Sequence, residues 1–472
     1  MSLESKNPIL TGFTSSILGN AIMFAATMFL TRIFPQETYG EFRLVFAFCS
    51  IAALILLAGR DSGIIFFAQQ QRENTDSLIK SERFYSFLIL LLGSAILALN
   101  SSTITDTLFN QNVSPDHFLI TCIMIPLWGI FNLNLAALKV KGEINYSFVL
   151  QNFTQRALRL PFFASLYFFP KSFFALALSM ILSQIVLIKI SFKRLSLISS
   201  QTHLGSFRDF ISKAPYSLQI GLNSFLFILL NKIDVLMVGK FIDNSKVAVY
   251  DISVLLAFIL LLPFNSLVKS LEPKMSFFKQ DKKLAKKYEH NMDLAIILSL
   301  AIIIGFTFSG DFFLSAFGQS YVEGYKTLLI LSIGLFISSC IGFPVEFLNM
   351  NGRAKLTFAI LLISVAINSL INLALIPRFG IEGAALATII SLIFTKSIGR
   401  LVLSKSLGIS PKISLRSKVN ISIASLMLAI HYLLAIENNF HRLLLATLVS
   451  GIFTISNLYS IYGKFWKHKL KN

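Results

Sequence analysis

What most constrains this chain is a recurrence. Apolar runs of about twenty residues, almost free of charge, follow one another from end to end with short polar connections between them. They fall at 10–31, 44–68, 84–100, 117–138, 147–168, 172–192, 214–239, 247–268, 291–308, 325–349, 356–376, 381–403, 418–436 and 442–463. One helix needs roughly 20 apolar residues to cross the hydrocarbon core of a bilayer. The runs are too long for barrel strands and lack period-two alternation. Residues are 55% hydrophobic and 14% charged, against about 25% charged in an ordinary soluble domain. A bilayer absorbs that apolar surface and a soluble core does not. The expected fold is therefore an all-α integral membrane protein with about fourteen transmembrane helices. The segment before the first run carries only Glu4 and Lys6, and that run reads as the first span, not as a cleaved signal.

The net charge of +19 is explained by topology. With the N-terminus inside, thirty of the 42 Lys and Arg residues fall in inner connections and tails, and eight fall in outer connections. The remaining four, Arg156, Arg159, Lys232 and Lys396, are assigned to span interiors, while basic residues toward the end of a run, Arg60 included, are counted with the adjoining connection. An excess of this size on one side is the positive-inside pattern, and it puts both termini in the cytoplasm. Nucleic acid is not an expected partner, because no basic face carries base-reading or stacking residues. The densest cluster, Lys279 to Lys287, reads as a cytoplasmic connection beside anionic lipid headgroups; membrane lipids are thus expected partners.

The chain also repeats itself at an offset of 208–210. Thr31 to Phe42 lies over Gly239 to Tyr250, sharing a basic residue, two apolar residues, a short polar turn, then a small residue and an aromatic. Gly142 to Ser183 lies over Gly352 to Ile393, with Ala175-Leu176-Ala177 on Ala385-Leu386-Ala387. The offset equals six spans. An even number keeps the halves in one orientation, as a parallel repeat about an axis along the membrane normal. The expected division is an N-terminal lobe over 1–213, a C-terminal lobe over 214–403 around a central cavity, and two added spans with a tail over 404–472.

Charges that topology leaves unexplained are the candidates for function. Arg156 and Arg159 share a face of the fifth span, where each costs about 2.5–3.5 kcal/mol at the span centre. Pro161 follows and is placed to kink the helix. Two readings stand: an anion site using guanidinium forks, or an ion pair between helices. Lys232 and Asp234, in the seventh span, line a cavity or form interhelix pairs. Asp251 and Glu346 are candidates for ion coupling by H+ or Na+; Glu346 follows Pro344 near the cytoplasmic end, so snorkelling competes as an explanation. Asn20, Gln151, Asn152, Asn223, Asn265, Asn368 and Asn372 are further polar residues within spans, mostly expected to bond between helices. Cys49, Cys122 and Cys340 sit in apolar runs without metal-ligand spacing, and the six histidines are scattered. No metal, cofactor or enzymatic activity is expected.

Several segments resemble polysaccharide flippases of the O-antigen and capsule type, within the multidrug/oligosaccharidyl-lipid/polysaccharide exporter superfamily. The most specific runs from Asn368 through Asn372, Pro377-Arg378-Phe379-Gly380 and Gly383 to Thr388. Asp234 to Gly239 with Val249-Tyr250, Thr31 to Phe34 with Tyr39-Gly40, and Gly352-Arg353 also fit; Ala248 and Pro35 stand where the family favours glycine. The resemblance implies a V-shaped, alternating-access flippase of twelve or fourteen spans in the bacterial inner membrane. Its implied role is to carry an undecaprenyl-diphosphate-linked oligosaccharide to the periplasmic leaflet for lipopolysaccharide O-antigen or other surface polysaccharide, alongside glycan polymerase or ligase partners. A multidrug exporter and a peptidoglycan-precursor flippase are the alternatives. A membrane glycan polymerase or ligase fits less well, because the longest outer connection is only about 100–117.

Overall fold

The computed structural model describes residues 8–409 apart from 71–74, 169 and 199–202; the two expected C-terminal spans lie outside the described residues. Among the described residues, ten helices, from Thr14–Ile33 to Ala354–Leu407, are long and apolar enough to cross a membrane. Two further spans complete the twelve expected within the described region. One arises because Ala354–Leu407 is two arms: Gly380, at φ 59° and ψ −138°, breaks it. The hydroxyls of Ser364 and Thr395 meet across the arms at 2.6 Å, so the chain reverses there. The other is the fifth, built from shorter pieces described below. No strand occurs among the described residues.

Chain contacts divide the protein into two compact units, 1–248 and 249 onward. In the first, α1 (Pro8–Ile33) is followed after one tight turn by α2 (Gln36–Leu57), which starts directly behind Pro35. Proline fixes φ and favours this position at a helix start. Ala58 and Gly59 both take positive φ and separate α2 from α3 (Arg60–Gln70). α4 (Thr75–Leu99), α5 (Ser101–Phe109), α6 (Pro115–Cys122) and α7 (Met124–Val140) follow, and later α10 (Phe173–Ile198), α11 (Phe207–Ser212) and α12 (Ala214–Phe241). The buried face of α2 carries Phe42 and Phe46; Phe46 stacks on Trp128 of α7 at 5.1 Å, and Phe42 meets Phe173 of α10 edge-on. Arg60, counted above with the loop charges, is instead buried. It pairs with Glu82 of α4 at 3.2 Å, donates to the Phe210 carbonyl at 2.9 Å and lies 3.8 Å from that ring's centre. A buried arginine is tolerable only with such a full set of partners.

At the other end of this unit the equivalent turns of the repeat touch. Gln36 donates to the Ser245 carbonyl, 209 residues away, at 3.3 Å. A Cβ on Gly40 would lie 1.7 Å from the Asn244 carbonyl oxygen, so only glycine allows this approach. Asn112 and Asn110 donate to the carbonyls of Gly239 and Lys240 at 2.8 and 2.9 Å. They satisfy the exposed carbonyls at the end of α12.

The second unit is built on α13 (Asn244–Ala257, most of which lies in it), α14 (Leu262–Leu271), α15 (Lys282–Ser315), α16 (Tyr325–Cys340), α17 (Pro344–Met350) and α18 (Ala354–Leu407). The tenth span is broken between α16 and α17. Arg400 donates to the freed Ile341 carbonyl at 3.2 Å. Tyr288 packs between Phe278 and Phe347 beneath the break.

Candidate functional site

The fifth span is assembled from α8 (Ile144–Val149), a π-helical turn over Leu150–Thr154, and α9 (Gln155–Ser165) with Pro161 inside it. Pro161 lacks the N–H that would bond the Ala157 carbonyl. π-turns are rare and frequent at functional sites. α1 crosses directly on this turn: a Cβ on Gly19 would sit 1.9 Å from the Asn152 carbonyl oxygen and 3.1 Å from Arg156 Cδ. That close crossing puts Asn20 beside Arg156, whose guanidinium donates to the Asn20 amide oxygen. One turn on, with the Gln155 amide oriented to satisfy its neighbours, Arg159 donates to the Gln155 amide oxygen at 3.2 Å and the Gln155 nitrogen donates to the Gln151 carbonyl at 3.2 Å.

The charges of Arg156 and Arg43 both bear on Arg159. Arg43 is the eighth residue of α2, about two turns into the helix, and is half-buried. Three arginines from two spans therefore act on one another. Neither Arg156 nor Arg159 has a carboxylate within ion-pair distance among the described residues; their named partners are neutral amides. Asn20 and Gln151 are exposed, while both arginines are half-buried. The arrangement is a cationic cluster whose guanidinium donors exceed their neutral partners, chemistry that would suit an anion.

Lys232 and Asp234 lie on α12, Lys232 half-buried and Asp234 3% exposed. The main packing partners of α12 are α2, α3 and α5; α9, which bears the arginines, is not among them. Asp251 and Glu346 belong to the second unit. Asp251 is 8% exposed and acts electrostatically on Tyr321. Glu346 faces Lys396 at 3.8 Å, and the Lys396 ammonium lies 4.9 Å over the Phe343 ring. Asn368 and Asn372, both fully buried, bond to each other along one helix at 3.0 Å. The sequence reading missed Arg43 and Gln155 as members of the cluster. Pro35 was the available signal for Arg43, since a helix starting at Gln36 carries residue 43 two turns into the span.

The fold is that of a multi-span, all-helical membrane protein with a parallel internal repeat. The profile of the polysaccharide biosynthesis protein family matches residues 29–326. The match covers more than half of the chain, and the chain belongs to this family. Two relatives come from Haloferax volcanii. The probable low-salt glycan biosynthesis flippase Agl15 is 21% identical over 80% of this chain and 79% of its own. The probable flippase AglR is 25% identical over 39% of this chain, a match spanning only 40% of AglR. Among solved structures, the lipid II flippase MurJ in an inward closed conformation superposes with a TM-score of 0.75. That superposition covers 96% of this chain and 99% of MurJ at 14% identity, a likeness of fold alone.

Proposed function

We propose that this protein is a flippase for a polyprenyl-diphosphate-linked oligosaccharide, undecaprenyl-linked in a bacterial inner membrane, moving it from the cytoplasmic to the outer leaflet. The observation that carries the reading is the cluster of Arg43, Arg156 and Arg159, in which Arg156 and Arg159 keep their charge uncancelled by carboxylates. A diphosphate crossing a low-dielectric layer needs compensating charge, and guanidinium forks match its oxygens. Cationic drugs would favour the opposite polarity. The flippases among the relatives point the same way. Lobes 1–213 and 214–403 are the bodies that rock in alternating access, with both termini cytoplasmic. Lys232 and Asp234 are further cavity residues. Asp251 and Glu346 are candidates for H+ or Na+ coupling. O-antigen or another surface glycan is the product class, passed on to a polymerase or ligase.

The test is Arg156→Ala and Arg159→Ala in the native host. Each is expected to abolish surface glycan, by tenfold or more if one bidentate contact worth about 1.5–3 kcal/mol is lost, with normal protein levels in the membrane. Full glycan in both variants overturns the anion site.

A further inference from the structure

We infer that the lysine face at the start of α15 is a binding surface for anionic lipid headgroups. Lys274, Lys279, Lys282, Lys283, Lys286 and Lys287 are all exposed within fourteen residues. On α15 the four lysines occupy one arc of the helix. Leu284, Tyr288 and Met292 occupy the opposite arc and are buried. Tyr288 meets Phe347 of α17 there, so the lysine arc is held outward and cannot roll under.

The charge of this face is not cancelled locally. Lys282 and Lys286, and Lys283 and Lys287, are like-charged pairs one turn apart, a spacing that destabilises a helix. Asp281 is the exposed carboxylate among them. Its Oδ1 already accepts the Lys283 and Leu284 amides at 2.8 and 3.1 Å, capping the helix. Glu289 and Asp293 lie further along and are half-buried. Lys279 reaches over the end of α18, its Nζ 3.6 Å from where a Cβ on Gly408 would be. An external anion is what would relieve the repulsion.

Depth decides which anion. α15 runs 28 residues from Lys282 to its break at Ser309, about 42 Å at 1.5 Å per residue. The hydrocarbon core takes about 30 Å of that. The excess of about 12 Å is the two lysine-bearing turns, which therefore stand among the headgroups. Phe277, 59% exposed beside them, offers an apolar ring for the acyl side of that boundary. Lysines at this depth meet lipid phosphates before they meet any soluble partner, and polybasic segments of this kind bind anionic lipid.

The test uses the full chain in nanodiscs of phosphatidylglycerol and phosphatidylcholine in equal parts, counting the lipids it retains by native mass spectrometry. Wild-type protein should retain phosphatidylglycerol with roughly three- to tenfold preference. Changing Lys279, Lys282, Lys283, Lys286 and Lys287 together to Gln should remove the preference, and changing the same five to Arg should keep it. The wild type alone supplies a second measure: the preference should fall at about 0.5 M salt, where the screening length drops to about 4 Å. No preference in the wild type, an equal preference in the Gln variant, or insensitivity to salt would each overturn the inference, the first leaving an acidic protein as the occupant.

Discussion

Arg156 is held by Asn20, a neutral amide from another span, so it is oriented without being neutralised. That distinction can be measured. Asn20→Ala should lower glycan export modestly, because Arg156 keeps its charge but loses a positioning bond of about 1 kcal/mol. Asn20→Asp should lower it further, since the carboxylate competes with the anion for the same guanidinium. Equal effects of the two variants would mean that Asn20 matters only for packing. Arg60 illustrates the opposite case, a cation whose charge is consumed. Glu82→Ala leaves it buried without its carboxylate, at a cost of about 3–5 kcal/mol. The variant is expected to lose much of its thermal stability in detergent, whereas replacing Arg60 and Glu82 together by Met and Leu should restore most of it. Both arginines look alike in the sequence, as basic residues at the margin of or inside apolar runs. Their partners lie 136 and 22 residues away, and no local pattern announces them.

The fifth span is where element-level structure matters most. Its π-turn and Pro161 interrupt regular helix on either side of Arg156 and Arg159, and α1 can lie against the turn only because residue 19 is glycine. Gly19→Val should therefore push α1 away, separate Asn20 from Arg156 and reduce export while leaving the protein in the membrane. The repeat-related turns offer a second test. Gln36→Cys with Ser245→Cys should be joined by a short bifunctional thiol reagent, because Gln36 reaches the Ser245 carbonyl in the structure. The joined protein should stop transporting if these turns must part in each cycle, and continued transport would make their contact a fixed strut. The spans themselves were legible in the sequence because hydrophobic length is a local property. The π-turn was not, since nothing in Leu150 to Thr154 distinguishes it by composition from the neighbouring helix.

At the scale of the whole molecule, twelve of the fourteen expected spans are present in the described residues, including the tight reversal at Gly380 read from Pro377 to Gly380. The contact units, 1–248 and 249 onward, place α12 with the helices it packs on, α2 and α3. An even number of spans puts both termini on one side, and reporter fusions at residue 1, within 201–203 and at residue 472 should all report the cytoplasm. A periplasmic signal at residue 472 alone would remove one of the two C-terminal spans.

The sequence by itself determined that the chain is a multi-span membrane protein with a six-span repeat, and it marked Arg156 and Arg159 as charges that topology does not explain. These conclusions rest on hydrophobic runs, charge counts and spacing, all of which are written along the chain. Only the tertiary structure decided that Arg43 joins them, that Asn20 and Gln155 are their partners, and that Arg60 is tied to Glu82. It also decided that Glu346 faces Lys396. Which helices touch depends on small residues such as Gly19 and Gly40 that permit close crossing, and that permission becomes a contact only when the distant segment is folded against it.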